Sequence, residues 1–407
     1  NRRKGVFSYI FKKTYAVYKM NIGMFSDTYI PQKNGVATAL KLYKDEMEKL
    51  GHNVFLFVPK YDINYTREEK NVIEFPAVKF PFEKEQRVAI PFSWKVFKIK
   101  DLNLDIVHSH DPFSMGILAM SVSRLLNIKH IGTHHTMYEY YLHYLPPIMR
   151  PPVELTQKVV KNWCLKLDKV IAPTNNIKNT LIEYGVPSYH IEVIPTGIDI
   201  SSFDNPITWD LRKEYPSIKE EDRILIFVGR LGKEKNIDFL IKVFSKVFAE
   251  EKNVKFVIIG GGPEKENLEL LAQELKVKEH VIFTDAQPRE KVIDAYKQSD
   301  IFIFASYTET QGLVVLEAMS AGTPVVALGK LGVYDLLSQE DAGGIMIKEL
   351  NEDDFVNEIL RLLRDNTLYE ELSRKAKDFV KNNYSIETCV KNILDLYERE
   401  IMSGEDE

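Results

Sequence analysis

From residue 20 onward, short apolar-rich runs alternate with stretches of helical periodicity, in two successive series. The first series has runs at residues 22–25, 54–58, 105–109, 129–133 and 169–173. Between the first two, Val36, Leu40, Tyr43, Met47 and Leu50 recur at helical spacing, and Gly51 is placed to end that helix. Strand–helix–strand units of this kind require a parallel sheet with right-handed crossovers. Thr174 is placed to cap a further helix and Gly185 to end it. The pattern breaks at residues 195–206, PTGIDISSFDNP, which reads as a hinge. A second series follows at residues 224–228, 254–259, 281–284, 301–304 and 324–327, and three consecutive helices are expected from about residue 351. The predicted fold is α/β, with two doubly wound domains at residues 20–200 and 205–383. Such sheets bind ligands at the carboxyl ends of their strands, and facing domains place a ligand in the cleft between them.

Composition narrows the function classes. The length of 407 residues exceeds one ordinary core. Charged content is 28%, and no run approaches the ~18 apolar residues of a membrane-spanning helix. Two cysteines, Cys164 and Cys389, exclude a disulfide scaffold and fit a reducing, cytoplasmic compartment. Net charge is unevenly spread: residues 1–200 carry 27 Lys+Arg against 19 Asp+Glu, whereas the whole chain is at -5. A basic first half suggests that this half meets an anionic surface. Residues 1–19 hold six basic residues and no acid, and read as an interfacial anchor or as a basic leader or tag. Six of the nine histidines lie between His108 and His143, without HExxH or Cys/His spacing, so no metal is expected.

Three strand-to-helix turns carry candidate chemistry. In residues 304–327, FASYTETQGLVVLEAMSAGTPVVA, Glu309 precedes a helix expected to start near Gln311, and Glu317 lies inside it. The N–H groups of Gln311, Gly312 and Leu313 would then face a ligand with the positive end of the helix dipole, as suits a diphosphate. Taken singly, either glutamate is as well explained by a favourable helix start or a solvated face. Residues 228–236, VGRLGKEKN, offer Arg230 as a planar fork and Lys235 as a point charge. The run Gly260-Gly261-Gly262-Pro263 is neither GxGxxG nor a P-loop, and reads as a tight turn.

Together these segments resemble the retaining family 4 glycosyltransferases. The resemblance implies the GT-B architecture, two Rossmann-like domains facing a cleft, with residues 384–407 carrying a helix back to the first domain. It implies that Arg230 and Lys235 clamp a diphosphate and Glu317 bridges ribose hydroxyls. Glu309, with the backbone of Thr310, Gln311, Gly312 and Leu313, would hold the transferred sugar, and Gln287 would flank the base. Residues 26–36, SDTYIPQKNGV, resemble the family's glycine-rich loop over the donor, with Asn34-Gly35 where members commonly carry two glycines. In residues 107–112, VHSHDP, alternation points His108 and His110 the same way, and the resemblance sets His110 beside the sugar.

Residues 133–144, THHTMYEYYLHY, with HSHDPFSMG, are similar to the bacterial diacylglycerol glucosyltransferases of that family. This implies UDP-glucose as donor, a lipid acceptor near Asp27, His110, His134, His135 and Tyr138, and catalysis centred on His110, Glu309, Arg230 and Lys235. No cofactor, no essential metal and no nucleic-acid partner is implied. Phe80, Phe82, Phe92, Trp94 and Phe97 interleave with Lys84, Arg87, Lys95 and Lys98, which suits the face of an anionic bilayer and a peripheral location on the inner membrane surface. Alternative readings are transfer to phosphatidylinositol, another glycolipid or a small polyol, or a nucleotide-sugar epimerase of the same architecture. A glycosidase would need its two carboxylates ~5–9.5 Å apart across the sugar bond. A non-catalytic sugar-binding protein would need export.

Overall fold

The structure, a computed structural model, describes residues 19–403 apart from 33, 63–64, 66, 81–86 and 92–93. The basic segment 1–18 and Phe82, Lys84 and Phe92 therefore lie outside the described residues, as do the side chains of Trp94 and Lys95.

The first domain runs β1 (Asn21–Phe25), α1 (Gly35–Lys49), β2 (Asn53–Pro59), β3 (Val72–Phe75), β4 (Ala77–Lys79), β5 (Arg87–Ala89), β6 (Ile106–Ser109), α2 (Ser114–Leu126), β7 (Lys129–Thr133), α3 (Val153–Cys164), β8 (Lys169–Ala172), α4 (Asn175–Glu183) and β9 (Ile191–Val193). Its seven parallel strands are ordered β3-β2-β1-β6-β7-β8-β9, and β4 and β5 form a separate antiparallel hairpin. Alternation splits the core between the two sheet faces: Ile22, Met24, Leu56 and Ile106 pack on one side, Phe25, Phe57 and Val107 on the other.

The second domain runs α5 (Leu211–Glu214), β10 (Arg223–Val228), α6 (Ile237–Glu250), β11 (Val254–Ile259), α7 (Lys265–Glu274), β12 (Val281–Phe283), α8 (Arg289–Lys297), β13 (Ile301–Phe304), α9 (Leu313–Ala321), β14 (Val325–Leu328), α10 (Leu331–Leu337) and β15 (Gly344–Ile347). Its six strands are ordered β12-β11-β10-β13-β14-β15, all parallel. Every residue of β11 and β13 is buried, as expected where helices cover both faces of a parallel sheet. The doubly wound α/β reading is thus borne out for both series.

Three helices close the chain: α11 (Glu352–Arg364), α12 (Asn366–Asn383) and α13 (Ile386–Ser403). The first two stay with the second domain. The last crosses over, and Ile386, Val390, Ile393, Leu396 and Tyr397 enter the core of the first. Among the described residues, no helix is long and apolar enough to cross a membrane.

Candidate active site

The loops that matter all leave the carboxyl ends of strands. After β10 the chain turns through Gly229 to Asn236, and the Asn236 amide donates to Ala305 O at 2.8 Å, tying this loop to the end of β13. That contact brings Lys235 to Glu309, and the two form an ion pair with 12% and 18% side-chain exposure. Burial alone would lower the Lys235 ammonium. The Glu309 carboxylate, helped by Tyr141 and Glu234, outweighs burial and holds it above the usual lysine range. Lys235 is therefore a fixed cation at neutral pH. Arg230 is exposed on the same loop.

Helix α9 begins at Leu313, two residues later than the sequence suggests. The reason is Gly312, which adopts φ +86°, a left-handed conformation that a side chain would resist. Its carbonyl receives the N–H groups of Val315 and Leu316, at 2.9 and 3.2 Å. Glu317 lies on this helix and has partners different from those of Glu309. Its Oε1 accepts from Arg289 Nη1 at 2.5 Å, and Tyr296 OH donates to Oε2 at 3.4 Å. Arg289, at the start of α8, carries no motif signature and was not among the expected residues. Gln287 sits in the loop before α8, its amide donating to Thr284 O at 2.5 Å. Gly260 is a steric necessity: a β-carbon there would lie 1.8 Å from Gly229 O. The glycine run thus lets the ends of β10 and β11 approach, as a tight turn should.

The first domain supplies the facing wall. His108, buried at the end of β6, joins Tyr397 OH at 2.5 Å and Thr133 Oγ1 at 2.7 Å. His110 lies with its ring centroid 4.1 Å from that of His108, and its Nδ1 is 3.0 Å from His135 Nε2. Its other nitrogen is buried without a hydrogen-bond partner, as are both nitrogens of His134. Burial, with His108 and His135 nearby, holds His110 well below the usual imidazole range, so it is neutral at pH 7. Tyr138 packs edge-on against His134 and Phe113.

Asp27, expected at the acceptor, is engaged by the start of α2. Its carboxylate accepts from Ser114 Oγ and, at 3.0 Å, from Met115 N. It caps the start of α2. Its own N–H donates to Asp111 Oδ2 at 2.8 Å. Burial, and then the Asp27 charge, push the Asp111 carboxyl well above the usual range. Arg87, expected at the surface, is instead 6% exposed and stacks 4.5 Å over Tyr61.

The two walls touch. Gly35 starts α1, capped by Asn34, whose side chain accepts from Ala37 N at 2.9 Å. A β-carbon at Gly35 would lie 3.2 Å from Leu313 Cδ1. Thr310 Oγ1 donates to His135 O at 2.8 Å. The Gln311 amide is spent on the hinge, accepting from Thr196 N at 2.7 Å and donating to Thr196 O at 2.8 Å. Beside them opens a cleft of about 640 Å³, lined by Tyr140 and Arg150 from one domain and Lys233, Asn236, Pro263 and Thr308 from the other. Among the described residues, no group of three or more His, Cys, Asp or Glu could hold a metal ion.

Residues 33–202 match the model of Glycosyltransferase Family 4, and residues 210–379 match that of Glycosyl transferases group 1. This chain belongs to the family 4 glycosyltransferases. It is 35% identical over 388 residues to an alpha-monoglucosyldiacylglycerol synthase of Streptococcus pneumoniae, covering 92% of this chain and 87% of that one. A protein of the same name from Acholeplasma laidlawii is 28% identical over 93% of this chain and 98% of its own. Among solved structures, Anabaena HepE in complex with UDP and glucose superposes with a TM-score of 0.75 at 17% identity, covering 93% and 100% of the two chains. That likeness is one of fold, and it agrees with the two-domain GT-B arrangement. The glycosyltransferase reading of the sequence is borne out.

Proposed function

We propose that this enzyme moves glucose from UDP-glucose to the free hydroxyl of 1,2-diacylglycerol, with retention at the anomeric carbon. The observation that carries the reading is the Lys235–Glu309 pair, held at the cleft opposite His110 and His135. The names of the two relatives support glucose and diacylglycerol.

The chemistry is chiefly electrostatic. A departing diphosphate develops charge that Arg230, Lys235 and the N–H groups at the start of α9 are placed to receive. Glu309 releases Lys235 to the phosphate and accepts a sugar hydroxyl in its place. Neutral His110 offers a hydrogen bond without adding charge beside the oxocarbenium-like sugar. As the bond to the leaving group breaks, the acceptor hydroxyl enters on the same face and passes its proton to the departing phosphate oxygen. Closure of the cleft limits competition from water.

A lipid acceptor needs a surface that meets a bilayer. On the first domain Ile148 is 96% exposed, and Met149, Val153, Leu155 and Val159 are at least 43% exposed. Exposed Lys158 and Lys166 flank them, and neighbouring Arg150 lines the cleft. Apolar side chains flanked by cations suit an anionic membrane surface, and Phe97, elsewhere on the same domain, is 79% exposed. The deciding experiment incubates the enzyme with labelled UDP-glucose and diacylglycerol vesicles. The expected product is an α-glucosyl diacylglycerol with stoichiometric UDP; absence of both discards the reading.

A further inference from the structure

Helix α4 of the first domain meets α10 of the second end-on. Thr174, the N-cap of α4, accepts from Ile177 N at 3.4 Å and satisfies one of the open N–H groups at that helix start. The neighbouring open N–H, that of Asn176, is satisfied from the other domain: it donates to Asp335 Oδ2 at 2.6 Å. The Asn176 amide then donates to Asp335 Oδ1 at 2.7 Å and to Leu331 O at 3.2 Å. An anion is thus held at the positive end of α4 by two parallel hydrogen bonds.

The same helix start also grips the loop that carries Glu309. Thr174 Oγ1 donates to Thr310 O at 3.1 Å. From the opposite side, Gly332 N, in the first turn of α10, donates to Glu309 O at 2.9 Å. There is no slack between α10 and this loop, since a β-carbon on Gly332 would lie 2.3 Å from Thr310 O. Asp335 is one turn further along α10. The segment Glu309 to Gly312 is therefore braced by α10 behind and by α4, which belongs to the other domain, in front.

We propose that Asn176 and Asp335 are positioning residues: their contact is the clasp that holds the domains closed and fixes the Glu309 loop in its transfer-competent place. This rests on the reading of Glu309 as the group that holds the transferred sugar. Both partners are half-buried. Opening exchanges their hydrogen bonds for water, so the clasp is reversible and suits a turnover cycle. The nucleotide end of the donor, handled by Arg230 and Glu317, stands apart from it.

The test uses the full chain with Asp335→Ala, Asp335→Asn, Asn176→Ala and the double alanine variant. Loss of positioning lowers kcat for transfer about tenfold in either alanine variant and raises the share of donor lost to water. Asp335→Asn, which keeps one hydrogen bond, recovers part of the rate. Equilibrium binding of UDP alone stays within about twofold, because UDP has no sugar to position. The double variant is no worse than the singles, since the pair acts as a unit. Wild-type kcat in both alanine variants, or multiplying losses in the double, overturns the proposal. Should the wild-type protein transfer no sugar at all, the function reading fails separately. Hydrogen exchange still decides the clasp: the amides of residues 309–312 exchange faster in Asp335→Ala than in wild type, and equal rates overturn it.

Discussion

Arg289 and Glu317 meet across the gap between α8 and α9, Nη1 to Oε1 at 2.5 Å, with 32% and 13% side-chain exposure. Burial works against the guanidinium, but the Glu317 carboxylate more than offsets it and keeps Arg289 charged. If Glu317 accepts ribose hydroxyls, Arg289 aims it. Arg289→Ala is expected to raise the donor KM about tenfold while kcat changes less than about threefold. A 2′-deoxyribose donor supplies the control: the wild type should discriminate against it and Glu317→Gln should not. Equal discrimination in both proteins removes Glu317 from the ribose.

Lys235 is expected to act on charge that develops as the diphosphate leaves. Lys235→Ala should lower kcat by roughly 10²–10³, the usual effect of removing one such group. Glu309→Gln should fall in the same range, with substrate binding less affected. Single-turnover UDP release measures both, and near-wild-type rates would move the site elsewhere.

The histidine cluster predicts acid sensitivity. Burial pushes His130 and His134 down to about 4 and His135 down to about 3, and holds His108 and His110 well below the ordinary value of 6.5. A depressed imidazole binds fewer protons in the folded state than in the unfolded one. Its stabilising contribution is therefore intact above pH 6.5 and is lost as pH falls from there through about 4. At pH 5 the loss should be on the order of 1–2 kcal/mol for His130 or His134. Denaturant midpoints at pH 7 and pH 5 test this, and a flat profile would show the cluster to be open to water.

Gly260 makes a packing prediction independent of catalysis. With Gly229 O only 1.8 Å from a β-carbon, Gly260→Ala forces β10 and β11 apart at their ends. The expected cost is about 2–3 kcal/mol, read as a lower unfolding midpoint. Gly261→Ala, where nothing lies within 4 Å, is the matched control and should cost far less.

The exposed face around α3 predicts a separation of binding from chemistry. Ile148→Asp with Val159→Asp should abolish co-sedimentation with anionic vesicles, yet leave transfer to detergent-dispersed diacylglycerol within about twofold. Undiminished co-sedimentation would assign membrane contact to another surface.

The central strands were legible because β10, β11 and β13 are buried on both faces and so read as apolar runs. The edge strands β3, β9 and β15 were not, since each is short, only partly buried and weakly patterned. At the site, the Gly-rich turn and the two glutamates announced themselves, but their partners did not. Lys235 and Glu309 are 74 residues apart, and only the parallel register of β10 with β13 brings their loops together. Asp27 shows the limit of motif reasoning: an aspartate just after a strand has one sequence signature whether it faces a ligand or caps the next helix. Here α2 claims it. Gln311 likewise has a side chain given to the hinge at Thr196, which no local pattern encodes.

Helix α13 has a consequence for how this protein is made. It fills the core of the first domain with Ile386, Val390, Ile393, Leu396 and Tyr397, and Tyr397 reaches His108 beside the site. The half of the molecule that leaves the ribosome first is thus missing part of its interior until α13 has been added. Vectorial, domain-by-domain folding can complete only the second domain on its own. The first stays open until α13 has followed, and the histidine wall is assembled only once that helix has packed.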